Sequence, residues 1–470
     1  METLKAALVV FFSFKAYVML PLVILVLALL VGMKVGQAAL SALKVAVGFA
    51  GIFLVFDFFV ASIGPAVQAL IARRGLDYPV LDVGWPPLAA ITWASRIAPL
   101  SIPLVLGLNL AMLAAGATRT LGIDVWNYWH YALIGALLQQ VTGSFWLGLA
   151  ATSLIAVYSL KMADWSSPLV EQVAGLPGIS ITTLSVNGLY PYALAVDELL
   201  ERVPGVRRIR WQPQAGRGGA GILSEPMILG VAIGVFLGVL AGYRVRQILE
   251  LAIHVAAVMF LLPHCGTLIG AGMQPFNLKL KAAIQKVFPH RMGLTVGMDS
   301  GVLMGLQSVI VTGLVLMPVS LGLAFLIPGN KTIPLGDLAN LVSVLSVIVL
   351  AMRGNVFRAV LAGVPVVIGY LLISTTLAPL FTRLAAQAGS STSYAGPITA
   401  FTDGGNPLRF WFFHLFQGDR LALLLLLPAA FLLLFAWRRY RQWRKSVAQS
   451  AAPGGTPGSA PGDAPGGAQA

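Results

Sequence analysis

The chain has 470 residues, of which 58% are hydrophobic and 10% charged, and its mean hydropathy is +0.85. A water-soluble domain carries about a quarter charged residues, so this composition excludes one and indicates an all-α polytopic membrane protein. The net charge of +14 does not indicate nucleic-acid binding, because the basic residues cluster beside apolar segments, where the positive-inside rule accounts for them.

In chain order, residues 1–15 read as an amphipathic helix, not a signal peptide, because METLKAALVVFFSFKAYVML has no small-residue cleavage site after its first apolar run. Apolar runs at 16–33, 40–63, 88–115 and 144–161 each approach the roughly 20 residues a spanning helix needs. They form a first membrane region over 16–175. A polar connector follows at 176–224, with Arg202, Arg207, Arg208, Arg210 and Arg217. Runs at 226–243, 247–272, 301–327, 335–352 and 359–381 make a second membrane region over 225–400. A last helical region over 401–445, apolar at 419–437, ends on Arg438, Arg439, Arg441, Arg444 and Lys445. Both basic clusters are placed on the cytoplasmic side. The tail over 446–470 is Pro, Gly and Ala rich and reads as disordered. About 10–12 membrane helices with re-entrant pieces are expected.

Polar residues at membrane depth are costly unless they are paired, hydrated or binding something, so they mark candidate sites. In DVGWPPLAAITWAS, Gly84, Pro86 and Pro87 break the backbone between Asp82 and Trp85 and the apolar run, which suits either a cavity lining or a surface loop with an aromatic anchor. DVWNYWHYALIGALLQQVTGSFW sets aromatic rings beside His130, Gln139 and Gln140, the combination that packs against a sugar's C–H faces while bonding its hydroxyls. Ser224, Glu225 and Pro226 make a good helix start, with Glu225 in the first turn. GMDSG puts Asp299 at the mouth of an apolar run. PLGDLANL carries Asp337 and Asn340, and RGNVFR puts Asn355 at a break between two apolar runs, the pattern of a discontinuous helix. Asp337 and Arg353 could also form a structural ion pair. The single cysteine, Cys265, lies in an apolar segment and reads as a packing residue. No Walker loop, HExxH, CxxC or GxSxG occurs, so ATP hydrolysis, zinc chemistry and serine hydrolysis have no support. No cofactor or metal is expected.

An internal repeat runs through the chain. GMKVGQAALSALKVAV from Gly32 recurs as GYRVRQILELAIHVAA from Gly242, and at nearly the same spacing Pro65 meets Pro275, Gly143 meets Gly354, and Asp124 meets Asp337. Asp82 meets Asp299 if the second half carries a short insertion. Many transporters are built from two such repeats, with the substrate held between them at interrupted helices.

Taken together, DVGWP (82–86), TWAS (92–95), DVWNYWH (124–130), TGSFW (142–146), PGVRRI (204–209), PGN with PLGDLA (328–339) and GNVFR (354–358) resemble the galactitol-type IIC permeases of the phosphoenolpyruvate-dependent sugar phosphotransferase system, in the ascorbate-galactitol superfamily. The resemblance covers nearly the whole chain before the tail. It implies a homodimer in the bacterial inner membrane, with scaffold and core domains, inverted repeats and elevator-like alternating access. A polyol or sugar would be carried inward and phosphorylated by a separate IIB protein bearing a phosphocysteine recharged through IIA, so this chain would need no phosphoryl donor of its own. By position in the related ascorbate branch, His130 and Asp299 are implied at the substrate site, with Glu225, Asp82, Trp85, Asp337 and Asn355 as further candidates and Arg207, Arg208 and Arg210 as a docking surface for IIB. Thr182 and Thr183 replace a family Pro-His pair and Leu306 replaces a family His. The alternative is a secondary transporter on the same fold, moving a polyol with protons through Asp299 or His130.

Overall fold

The structure is a computed structural model that describes residues 16–74, 78–213, 226–287, 293–389 and 396–450. The expected N-terminal amphipathic helix, Glu225 and nearly all of the expected tail lie outside those residues.

The chain is mostly helical, and its two halves run through the same order of elements. The first has α1 (Ala16–Leu30), α2 (Val35–Arg74), β1 (Val80–Asp82), α3 (Trp85–Trp93), α4 (Ala98–Ala114), β2 (Thr120–Leu121), a 3-10 turn over Val125–Tyr128, α5 (Trp129–Thr142), α6 (Phe145–Ala174) and β3 (Ile179–Ile181). Short α7 (Leu184–Asn187), amphipathic α8 (Tyr190–Arg202) and α9 (Pro204–Arg208) lead out of it. The second half has α10 (Pro226–Leu240), α11 (Val245–Val287), β4 (Thr295–Met298), a 3-10 turn over Ser300–Gly305, α12 (Gln307–Leu326), β5 (Thr332–Ile333), a 3-10 turn over Leu338–Asn340, α13 (Leu341–Val344), α14 (Ser346–Ala351), α15 (Val356–Gln387) and β6 (Ile398–Thr399). The chain ends with α16 (Pro407–Phe416), α17 (Arg420–Leu424) and α18 (Leu426–Ser450).

The residues that repeat in sequence are those that stop and start helices. Gly32 and Gly242 both take positive φ, 81° and 71°, and close α1 and α10. Each sits inside a C-terminal bonding pattern, Met33 N–H to Ala28 O and Tyr243 N–H to Gly238 O. Gly143 and Gly354, also at positive φ, precede Ser144 and Asn355, whose side chains accept from Leu147 N–H and Arg358 N–H and so cap α6 and α15.

The expected single span over 88–115 is instead two helices, α3 and α4, bent by 87° at a short break. Pro99 at the start of α4 and the Ser95 hydroxyl, which accepts from Ala98 N–H at 3.3 Å, stabilise that restart. The expected span over 335–352 is likewise interrupted, as α13 and α14. Among the described residues five helices are long and apolar enough to cross a membrane, or six if the bent pair counts as one. Their outer faces leave large apolar side chains uncovered, such as Leu54 at 72% and Leu427 at 78% exposure, as a lipid-facing surface requires.

Two small parallel sheets bind the halves together. One has the order β5-β1-β6 and the other β2-β4-β3, so each central strand comes from one half and both its flanks from the other. Register fixes the correspondence. Val80 pairs with Thr332 at the start of β5, and Thr295 pairs with Thr120 at the start of β2, which matches Asp82 to Gly297 and Gly84 to Asp299. The two acids are therefore offset by two positions and are not equivalents, correcting the alignment expected from sequence.

Candidate substrate site

All six strands deliver a residue just beyond their C-terminal ends to one cavity of about 1160 Å³: Trp85, Asp124, Thr183, Asp299, Asp337 and Asp403. Strands end here because Asp, Gly and Thr side chains bond the backbone and turn it away from extended geometry. Asp82 and Asp299 each accept from the N–H two residues on, Gly84 at 3.1 Å and Gly301 at 2.7 Å.

The two acids then part ways. Asp82 is fully buried and accepts four backbone N–H groups, from Gly84, Leu335, Asp337 and Phe401. Those bonds use the lone pairs of both its oxygens, so Asp82 fastens three strand ends together and does not line the cavity. Asp299 stands at the cavity with one further bond, accepted from the Thr183 hydroxyl at 3.0 Å, which leaves lone-pair capacity facing the space. Asp124 lines the same wall and accepts from the Asn127 amide at 2.9 Å.

Asp337 lines the cavity but is held by the Trp85 and Thr402 backbone N–H groups and by the Thr402 hydroxyl. It forms no ion pair with Arg353, whose side chain is exposed. Asn355 lies away from the cavity. It caps α15 and donates to Ile209 O at 2.8 Å, while Val356 N–H donates to Trp211 O, so this break clamps the segment following α9. Arg207, Arg208 and Arg210 are exposed on and just after α9. Cys265 packs where α11 crosses α2 at Gly48 and Gly51, in keeping with a packing role.

Trp85 and Trp129 stack, with ring centroids 6.4 Å apart, and Trp129 stacks in turn on His130 at 3.9 Å. This makes an aromatic wall beside the acids. Behind it lies a group whose acid and base went unremarked in the sequence. Arg409 donates to Asp403 Oδ1 at 2.9 Å and to His130 Nδ1, and its guanidinium lies 5.4 Å from the Trp129 ring centroid. Asn340 donates to the Thr402 hydroxyl at 2.9 Å and to Asp403 at 3.3 Å. A signal did exist for Asp403 and Arg409: TDGGNPLRF sets charges around a Gly-Gly-Asn-Pro break, and its Asn406 caps α16 by accepting from Arg409 N–H. Among the described residues no group of histidine, cysteine and acids is arranged to hold a metal ion.

The cavity thus combines ring faces, carboxylate acceptors and amide or imidazole groups, which is the chemistry of a neutral polyhydroxylated ligand. Among the described residues four acids and a histidine line it and no lysine or arginine does, and only Asp403 of these acids is paired with a cation, Arg409, so an anion is disfavoured.

Comparison with known proteins places residues 10–396 in the family model EIIC-GAT, described as the PTS system sugar-specific permease component. The chain is 34% identical over 426 residues to the PTS system galactitol-specific EIIC component of Escherichia coli (strain K12), covering 90% of this chain and 94% of that one. It is 35% identical over 374 residues to a putative permease IIC component of the same organism, covering 80% of this chain and 85% of the other.

Proposed function

The chain belongs to the EIIC-GAT family of PTS sugar-specific permease components, and from that premise we propose that it carries galactitol or a closely related polyol across the bacterial inner membrane. The substrate is handed to a separate IIB protein for phosphorylation, with IIA recharging IIB. The observation that carries the reading is the cavity at the strand ends, which Asp299, with lone-pair capacity to spare, lines together with the stacked Trp85 and Trp129 rings. A carboxylate accepting from vicinal hydroxyls orients the polyol, and orientation is most of what phosphoryl transfer asks of the acceptor side.

The acidic lining also sets direction. A neutral polyol is accepted, whereas a phosphorylated product in the same cavity would meet the Asp299 carboxylate, which pairs with no cation among the described residues, and be repelled. That favours release once the phosphoryl group is attached. Transport is by elevator-like movement of one part of the molecule against another, in a homodimer. The exposed Arg207, Arg208 and Arg210 form part of the cytoplasmic docking face for IIB.

Uptake of labelled galactitol into membrane vesicles, with and without phosphoenolpyruvate and the soluble phosphocarrier proteins including IIB, tests this. Phosphorylated polyol is expected to accumulate only with the full set. Asp299→Asn is expected to reduce uptake by at least about 100-fold, because loss of the carboxylate removes a charge-assisted bond worth roughly 1.5–3 kcal/mol and disturbs orientation as well. Entry of free polyol driven by a proton gradient, without phosphate transfer, would sink the reading in favour of a symporter.

A further inference from the structure

We infer that Arg409 is a positioning residue that holds His130 as the neutral tautomer protonated on Nε2, so that the ring offers the cavity a hydrogen-bond donor. A guanidinium has only donors, so the ring nitrogen it approaches must be an acceptor. Arg409 Nη2 meets His130 Nδ1, which puts the single ring proton on Nε2. Asp403 Oδ1 lies 3.4 Å from the same Nδ1, but it accepts from Arg409 Nη1 at 2.9 Å. Were Nδ1 protonated toward Asp403, its N–H would point at an N–H of Arg409. Both residues are 3% exposed, so water cannot relieve that conflict.

Arg409 is oriented for this contact at some cost. Its Nε is buried without a partner among the described residues, while its two terminal nitrogens serve His130 and Asp403. The Trp129 ring covers the guanidinium and stacks on the imidazole, fixing both planes. The Nδ1 edge is therefore occupied, and among the described residues no hydrogen bond reaches Nε2, the nitrogen left for the cavity that His130 lines. Its natural acceptor is a substrate hydroxyl oxygen, and only that assignment rests on the polyol reading. Asp299 and Asp124 line one wall of the cavity and, when ionised, only accept, so the ring supplies the complementary donor. It also follows that His130 neither carries a proton across nor acts as a base in the wild type.

The charged and titratable groups facing the ring are Asp124 from the preceding turn, Asp299 after β4, Asp337 after β5, Asp403 after β6 and Arg409 on α16, with Tyr370 of α15 beside Asp403. In Arg409→Met only acids remain among the charges. At about pH 8 the ring then turns its proton toward Asp403, Nε2 becomes an acceptor, and the donor to the substrate is lost. On acidification the ring gains a second proton and the donor returns.

Two measurements decide the matter. In full-length protein labelled with 15N-histidine in lipid nanodiscs, with the His130 signals assigned by their loss in His130→Asn, NMR is expected to give the neutral Nε2–H pattern from about pH 5.5 to about pH 8. An imidazolium or an Nδ1–H pattern overturns the inference. Galactitol binding to Arg409→Met is expected to weaken on the order of tenfold at about pH 8 and to recover to within about threefold of wild type near pH 5.5, while wild-type affinity stays flat. No loss, or a loss that is the same at both pH values, contradicts the positioning role. Should the variant not fold, the wild-type NMR, which needs no substitution at position 409, decides the inference by itself. If wild type binds no galactitol, the polyol reading fails and the NMR still decides the tautomer.

Discussion

Asp82 and Asp299 have the same chemical group and sit at ends of equivalent strands, yet they do different work. What separates them is how many backbone donors each meets: four for Asp82, with one from its own turn, against the single Gly301 N–H for Asp299. Asp82→Asn replaces an acceptor oxygen by an NH₂ group that faces N–H donors. The variant is expected to lose about 2–3 kcal/mol of stability, read as a lower melting temperature and poorer yield in detergent, not as a selective loss of substrate affinity. A variant with wild-type melting and weakened binding would move Asp82 to the substrate. Composition and motif spacing ranked neither acid above the other, and only the family resemblance put Asp299 first, because the sequence names the carboxylate but not the donors that arrive from far along the chain. His130, Trp85, Asp299 and Asp337 were singled out together with Asp82 and Asn355 as costly residues at membrane depth or at breaks in apolar runs, and of these the first four line the cavity. Asp403 and Arg409 were missed because their significance lies in meeting His130, and Arg409 and His130 are 279 positions apart in the chain.

At the scale of elements, the repeat was legible where it stops and starts helices, and the ends of α1, α10, α5 and α14 bear out those matches. The bend between α3 and α4 was not, because an apolar run states length but not direction, and the turn depends on Ser95 and Pro99 acting within a packed core. The hairpins also differ in their contacts. Gly230, Gly234 and Gly238 lie one turn apart on α10 and let α11 approach: a Cβ on Gly234 would stand 2.4 Å from the Ala252 Cα, and one on Gly230 2.5 Å from the Ala256 Cα. Gly234→Leu is expected to splay this hairpin and lower the melting temperature by roughly 5 °C or more, whereas Gly107→Leu, whose Cβ position is open, should be near neutral. Equal melting of the two variants would show that the close approach is not what holds α10 to α11.

At the scale of the whole molecule, membrane character and family were legible from composition and motifs, while the exchange of strands between halves was not. Strands of two to four residues have no periodicity to read, and their pairing is set by tertiary contacts. Because each sheet takes strands from both halves, neither half can complete a sheet alone. Residues 1–213 expressed by themselves are expected to be recovered aggregated, and co-expression with residues 214–470 as a separate chain should restore a complex that co-purifies. A monodisperse, cooperatively melting 1–213 fragment would argue against interdependent halves.

The crossing of strands also puts folding on a clock. Asp82 waits for partners 253, 255 and 319 residues further on, so its carboxylate and the edges of β1 enter the membrane long before the ribosome has made what they bind. At roughly 5–20 residues per second, that interval is on the order of tens of seconds. During it the nascent first half holds an acid three of whose four backbone donors are not yet synthesised, and the last of them, Phe401, arrives only when the end of β6 emerges.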